Sequence, residues 1–126
     1  MNSHAIHAAV FGKPFDIPYT GAYSWLYAGE AAAAFIAAVS QDGHSAPIFD
    51  LNGQCAEIEK GVEIMNNLNP NAAISCSGSN FPFPANLDDI PLRRHVPDYP
   101  EISIEQGISA TFEAFEHLRQ QGRLTE

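Results

Sequence analysis

From Ala28 to Ser40 the chain runs through four consecutive alanines into Phe35, Ile36, Ala37, Ala38 and Val39, with Glu30 as its only charge. A helix that is apolar on nearly every side must be buried on more than one of them. The rest of the 126 residues therefore has to supply a cover for it or find one elsewhere. The cover is not a bilayer, because the longest apolar run, Ala31 to Val39, falls far short of the roughly 20 residues a membrane-spanning helix requires.

Around this segment the period of the apolar residues changes repeatedly, which marks an α/β chain. Ile6, Ala9 and Val10 share one side of a short helix that Asn2 or Ser3 caps and Gly12 stops before Pro14. The period then becomes two. Phe15, Ile17 and Tyr19 alternate with Asp16 and Pro18, Thr20-Gly21 turns the chain, and Tyr23, Trp25 and Tyr27 alternate with Ser24 and Leu26. This predicts a hairpin whose first strand is confined to an edge by Pro18.

Beyond the alanine-rich helix, Gln41-Asp42-Gly43 reads as a turn and Pro47 to Leu51 as a short strand ending at Asn52-Gly53. Cys55, Ile58, Val62, Met65 and Leu68 recur at helical spacing and predict a second amphipathic helix, ended by Asn69-Pro70. Ala73 to Cys76 reads as another strand. Residues 77–101, rich in Pro, Ser, Asn and Asp, read as an ordered irregular loop with a helical turn near Asp88 to His95, the kind of segment where ligand contacts concentrate. In the last helix Ser103 and Gln106 form a capping box, and Ile104, Ile108, Phe112, Phe115 and Leu118 form the buried stripe. Arg119 and Arg123 sit near its negative end, and Gly122 stops it. The expected architecture is one α/β domain over residues 1–126, a short mixed sheet with about four helices.

Hydrophobic residues at 45% and charged residues at 17% fit a soluble globular protein with a real core. Fifteen acidic against six basic residues leave a net charge of −9, a poor match for a phosphate backbone, so no nucleic-acid partner is expected. The first dozen residues hold no Lys or Arg ahead of Lys13, which argues against a secretory leader. Cys55 and Cys76, without any CxxC, fit reduced thiols in the cytoplasm, both as small buried hydrophobes.

Complete catalytic constellations do not emerge from the residues. Neither GxGxxG nor GxxxxGK[ST] occurs, and the cluster Ser75-Cys76-Ser77-Gly78-Ser79 lacks their spacing. His4 and His7 stand one helical turn apart, but a metal would need a third ligand from afar, so a solvated surface is the better reading. Cys76 has no local base to activate it. His44, His95 and His117 read as surface histidines, and the Asp88-Asp89 pair as a helix cap rather than an acid and base.

Five segments, in order, resemble the C-terminal, substrate-binding part of the NAD-dependent epimerase/dehydratase family, the extended short-chain dehydrogenases. They are Gly12-Lys13-Pro14-Phe15 with Ile17-Pro18-Tyr19; Tyr23 to Phe35, YSWLYAGEAAAAF; Ile48 to Gly53, IFDLNG; Phe81 to Asp89, FPFPANLDD; and Ile102 to Phe115. Two departures stand out. The family's acidic pair reads Gly29-Glu30, leaving one carboxylate, and its Leu-Gly-Trp-x-Pro is replaced by His95-Val96-Pro97-Asp98-Tyr99-Pro100. The phosphate-loop glycines, catalytic Ser or Thr and Tyr-x-x-x-Lys pair belong to the family's N-terminal half and do not occur here.

The resemblance implies no catalytic residues and no cofactor on this chain, with NAD or NADP bound only if a nucleotide-binding half is supplied. It implies a sugar or nucleotide sugar held by Tyr23, Trp25, Tyr27, Asn80, Phe81, Phe83 and Asn86. It also implies that the alanine-rich helix packs onto the nucleotide-binding half, so that this chain alone exposes Phe35, Ile36, Val39 and Phe49. Such a surface finds a partner, either that half or a second copy in a homo-oligomer. A non-catalytic binding or scaffold module that self-associates through the same face is the alternative.

Overall fold

The computed structural model describes residues 1–41 and 47–125. The turn expected at Gln41-Asp42-Gly43 lies largely outside these residues, as does His44. The described elements run α1 (Asn2–Val10), β1 (Pro14–Ile17), β2 (Ala22–Trp25), α2 (Ala28–Val39), β3 (Gln54–Glu57), α3 (Ile58–Leu68), β4 (Ala73–Cys76), α4 (Ile90–His95) and α5 (Ile104–Gln120). The α/β class holds, with α4 as the helical turn expected in the irregular loop.

The strands do not form the expected hairpin. β1 pairs in parallel with β4, Phe15 opposite Ile74, while β2 pairs antiparallel with β3, Ser24 opposite Cys55. Alternation identified the strands but not their partners. Gly21, at φ 82°, turns the chain between β1 and β2, and its carbonyl accepts the Ile58 amide where β3 gives way to α3. Pro18 follows β1 and offers no ladder donor there.

Three further expectations are corrected around β3. Pro47 to Leu51 forms no strand, and Ile48 is 96% exposed. The chain is instead drawn in at Asn52, whose Oδ1 accepts from Ser24 Oγ at 2.7 Å, and Gly53 N donates to the same hydroxyl at 3.0 Å. Cys55 belongs to β3 and not to α3, because Glu57 is still extended at ψ 146°; its three-residue spacing from Ile58 mimics a helical period. Consequently Cys55 is exposed, and Cys76 half-buried, rather than both being core residues.

The main core joins α1, α3 and α5 to the strands through Ile6, Val10, Ile17, Trp25, Ile58 and Met65 with Ile74, Ile104, Ile108 and Phe112. Trp25 lies at its centre, and Gly61 of α3 makes room for it: a Cβ there would stand 2.2 Å from Trp25 Cη2. Polar ties close the element ends. Arg119 Nη1 reaches the Val10 carbonyl at 2.7 Å, an acceptor near the end of α1, and Asn69 Nδ2 adds a second donor at 2.7 Å to the Ala9 carbonyl, which already accepts the Gly12 amide. The Ser103–Gln106 capping box is present, and Gly122 takes φ 67° after α5.

Within this chain α2 buries only Glu30 and Ala34, one side rather than several, which leaves open the face that the resemblance implies. Ala34 packs with Leu92, Val96 and Tyr99 in a small second core, joined at its rim by Phe49 and Leu51. The opposite side stays open: Phe35 is 70%, Ile36 67% and Val39 84% exposed. Phe49, expected in the same patch, is half-buried, its ring 5.1 Å from that of His95.

Substituting Gly61→Ala drives a methyl into the Trp25 ring and is expected to destabilise the chain by about 2 kcal/mol, as overpacking does. Urea denaturation followed by Trp25 fluorescence measures it; a midpoint equal to that of the native sequence would show that the indole moves aside freely.

Candidate functional site

The first turn of α1, the chain from Tyr23 to Ala28 and the N-terminal half of α5 enclose a cleft of about 460 Å³. Small-molecule sites span roughly 300–1,000 Å³, so the cleft is large enough for one sugar or one base. Each wall follows from local structure. β2 alternates, yet Tyr23 and Trp25 and their neighbours Ser24 and Leu26 all reach the cleft because the strand ends there and the chain turns into α2 at Tyr27, the N-cap residue. Asn2, Ser3 and Ile6 form the α1 wall. Ser103, Gly107 and Thr111, one helical turn apart, belong to the α5 wall with Phe115.

Three of the residues singled out in the sequence, Tyr23, Trp25 and Tyr27, therefore line the cleft. Trp25 is also a core residue, 7% exposed, with Nε1 donating to the Ala56 carbonyl at 3.3 Å. Tyr27 lies over the α5 backbone, where a Cβ on Gly107 would come within 3.2 Å of its own Cβ. The other four, Asn80, Phe81, Phe83 and Asn86, do not line it. Phe81 meets the Tyr23 ring edge-on at 4.8 Å and carries Phe83, 67% exposed, at 5.4 Å, so an aromatic row leads away from the cleft to the surface. Asn80 Oδ1 stands 3.4 Å from the Thr20 hydroxyl, and Asn86 is exposed. Asn2, Ser3, Ser103, Thr111 and Phe115 carry no sequence signal as site residues, because only the packing of α1 on α5 brings them together.

Beside the cleft, Glu30 in the first turn of α2 fixes how the chain returns into α5. Its side chain is 0% exposed, accepting from the Ile102 amide at 3.3 Å and from Arg93 Nη2 at 3.5 Å. Arg93 is held by Asp89 Oδ2 at 2.9 Å and lies 4.8 Å over the Tyr99 ring. Burial pushes the Glu30 carboxyl above the usual range, outweighing the Ile102 amide and the Arg93 charge. Gln54 Oε1 then receives the Ile104 amide at 2.7 Å, completing the start of α5.

Nucleophilic and metal chemistry find no support at the cleft. Burial, with Glu59 and Asp16 nearby, raises the Cys76 thiol and disfavours its thiolate, and Cys76 is not among the lining residues. Asp16, held low by hydrogen bonds from Ser75 and then Ser77, faces solvent. His7 Nε2 lies 3.0 Å from the Thr125 carbonyl, and among the described residues no three His, Cys, Asp or Glu side chains gather as a metal site.

No family model and no curated protein sequence matches this chain. Solved structures do. The UDP-glucuronic acid 4-epimerase of Bacillus cereus, solved with UDP-glucuronic acid and NAD, superposes with a TM-score of 0.77 at 17% identity, covering 94% of this chain and 40% of the epimerase. The fold is that of part of an NAD-dependent epimerase or dehydratase. The epimerase Mth375 of Methanothermobacter thermautotrophicus matches with a TM-score of 0.75 at 17% identity over 95% of this chain and 38% of its own. A GalE-like L-threonine dehydrogenase of Cupriavidus necator reaches 0.68 at 16% identity over 88% and 44%. The chain thus spans about 40% of the length of the first of these. Among the described residues no helix is long and apolar enough to cross a membrane.

The raised Glu30 carboxyl has a defined sign. Protonation favours the folded state, so the stability Glu30 confers is full below its unfolded value near 4.5 and is lost as pH rises through the higher folded value. Relative to Glu30→Gln, the native chain is expected to lose stability as pH rises from about 4.5 towards 7. Urea midpoints of both proteins across that range check it; a gap that does not change with pH would place the ionised carboxylate at no disadvantage.

Proposed function

We propose that this chain is the substrate-side portion of an NAD-dependent epimerase/dehydratase-like enzyme. In this reading it binds a sugar or nucleotide sugar in the cleft beside Tyr23, Trp25 and Tyr27, and is not catalytic alone. The observation that carries the reading is the fold: nearly the whole chain superposes on two fifths of a UDP-glucuronic acid 4-epimerase. The sequence adds its own support, because the phosphate-loop glycines and the Tyr-x-x-x-Lys pair of the resembling family do not occur in it. Asn80, Phe81, Phe83 and Asn86 would act at the outer end of the aromatic row rather than in the cleft.

A partner follows from the same reading. The open side of α2, with Phe35, Ile36 and Val39, is the surface on which a nucleotide-binding half would dock, bringing NAD or NADP with it. A second reading, a non-catalytic module that self-associates through this face, is favoured by the exposure of three large apolar side chains on one helix.

Two measurements separate these readings. Mixed with a separately expressed nucleotide-binding half, the chain is expected to co-elute with it and restore turnover of a nucleotide sugar, and Phe35→Glu with Ile36→Glu to weaken that association at least about tenfold, since each buries a charge. Sedimentation of the chain alone supplies the second: a concentration-dependent dimer without any trans activity favours the module, whereas a monomer at every concentration that gains nothing from the added half overturns both.

A further inference from the structure

Asn52 is the only asparagine of the chain that is followed by glycine. Such a pair carries a reaction of its own. The main-chain nitrogen of the glycine, unhindered by a side chain, gives up its proton to solvent base and attacks Cγ of the asparagine. The bond from Cγ to the side-chain nitrogen breaks, ammonia leaves, and a five-membered succinimide remains. Water then opens the ring at either carbonyl, giving aspartate or isoaspartate, so the chain loses ammonia and gains water with no oxidation or reduction. The step needs the glycine nitrogen turned towards Cγ and a main chain free to bend into the ring.

One hydroxyl opposes both needs. Gly53 N donates to Ser24 Oγ at 3.0 Å, and Ser24 Oγ donates to Asn52 Oδ1 at 2.7 Å. The electron pair that deprotonation would uncover on Gly53 N therefore points at the Ser24 oxygen and not at Cγ, while the second bond keeps the carboxamide from turning. Asn52 is itself buried, which screens it from base and water. Gly53 is pressed against the main chain of Trp25, a residue held by the core and by its pairing with Gln54. A bend towards the succinimide has no room while β2 and β3 stay paired.

We propose that Asn52-Gly53 is a latent deamidation site, closed by Ser24 in the folded chain and opened when β2 and β3 part. The modification is one-way. Isoaspartate routes the main chain through Cβ and adds a bond between positions 52 and 53, at the place where Gly53 already touches Trp25. Aspartate sets a charge where Asn52 is buried. Either product opposes renewed pairing of β2 with β3, so a copy that stays open long enough is marked and does not return to the native fold.

Prolonged incubation of the whole chain in mildly alkaline buffer, native or in guanidinium chloride above its unfolding midpoint, tests the proposal. Peptide mass spectrometry reads the exchange of the Asn52 amide for a carboxyl, and an isoaspartyl methyltransferase assay reads isoaspartate. The folded chain is expected to deamidate at Asn52 at least about tenfold more slowly than the unfolded one. Returned to native buffer, the deamidated chain is expected to recover less of the native Trp25 fluorescence than chain held unfolded for the same time in acid, where the nitrogen keeps its proton. Ser24→Ala, shown to be folded by the same fluorescence, is expected to deamidate about fivefold faster than the native sequence. Hydrogen exchange needs no variant and decides the matter if Ser24→Ala does not fold: the Gly53 amide is expected to be protected like the amides of the β2–β3 ladder. Equal rates in the folded and unfolded chain, or a Gly53 amide that exchanges freely, would overturn the proposal. A folded Ser24→Ala that deamidates no faster than the native chain would remove Ser24 as the guard, and full refolding of the deamidated chain would show that the mark is not one-way.

Discussion

The structure turns on one side chain placed against two glycines. Trp25 ends β2 with its ring against α3, where Gly61 gives it room, while its own carbonyl lies so close to Gly53 that a Cβ there would stand 2.2 Å from the oxygen. An indole is large enough to define a small core by itself, and its N–H must find an acceptor, here the Ala56 carbonyl across the β2–β3 ladder. Sheet register, the approach of α3 and the course of the chain before β3 are thus fixed by one residue. The same strand delivers Tyr23 to the cleft, and the turn that follows it delivers Tyr27, so the most constrained part of the fold is also a wall of the candidate site.

Glu30 plays the corresponding part for the smaller core. It joins the first turn of α2 to Arg93 of α4 and to the Ile102 amide just before α5. An ionisable group buried this completely is a poor source of stability, because desolvation opposes its pairing. Its value is positional: three segments distant in sequence meet at one carboxylate, and the start of α5 beside the cleft is set by that meeting. Where the resembling family has an acidic pair this chain has Gly29-Glu30, and that one carboxylate is buried in the structure.

Much of this was legible in the sequence where local chemistry is decisive. The capping box announced α5, the apolar spacings announced α1 and most of α3, and a short run of small and β-branched residues announced β4. Partnerships were less legible. Alternation in Phe15, Ile17 and Tyr19 looks the same whether the neighbour follows at once or, as for Asp16 and Ser75, stands 59 positions away. Cys55 shows the complementary failure, since a spacing of three residues can arise by chance across a strand-to-helix junction. The cleft was half visible for the same reason: its aromatic wall lies in one stretch of chain, whereas Asn2 and Thr111 meet only because α1 packs on α5.

One small contact bears on how copies of this molecule can meet. Asn66 of α3 turns its carboxamide to Ile74, Nδ2 donating to the carbonyl at 2.9 Å and Oδ1 accepting the amide at 3.0 Å. The side chain imitates a neighbouring strand and takes both backbone groups of the residue at the middle of β4. A sheet grows by offering such groups to an incoming chain, and here they are already engaged. Templated addition of a third strand is therefore blocked on that edge, and aggregation by sheet extension has to begin somewhere else.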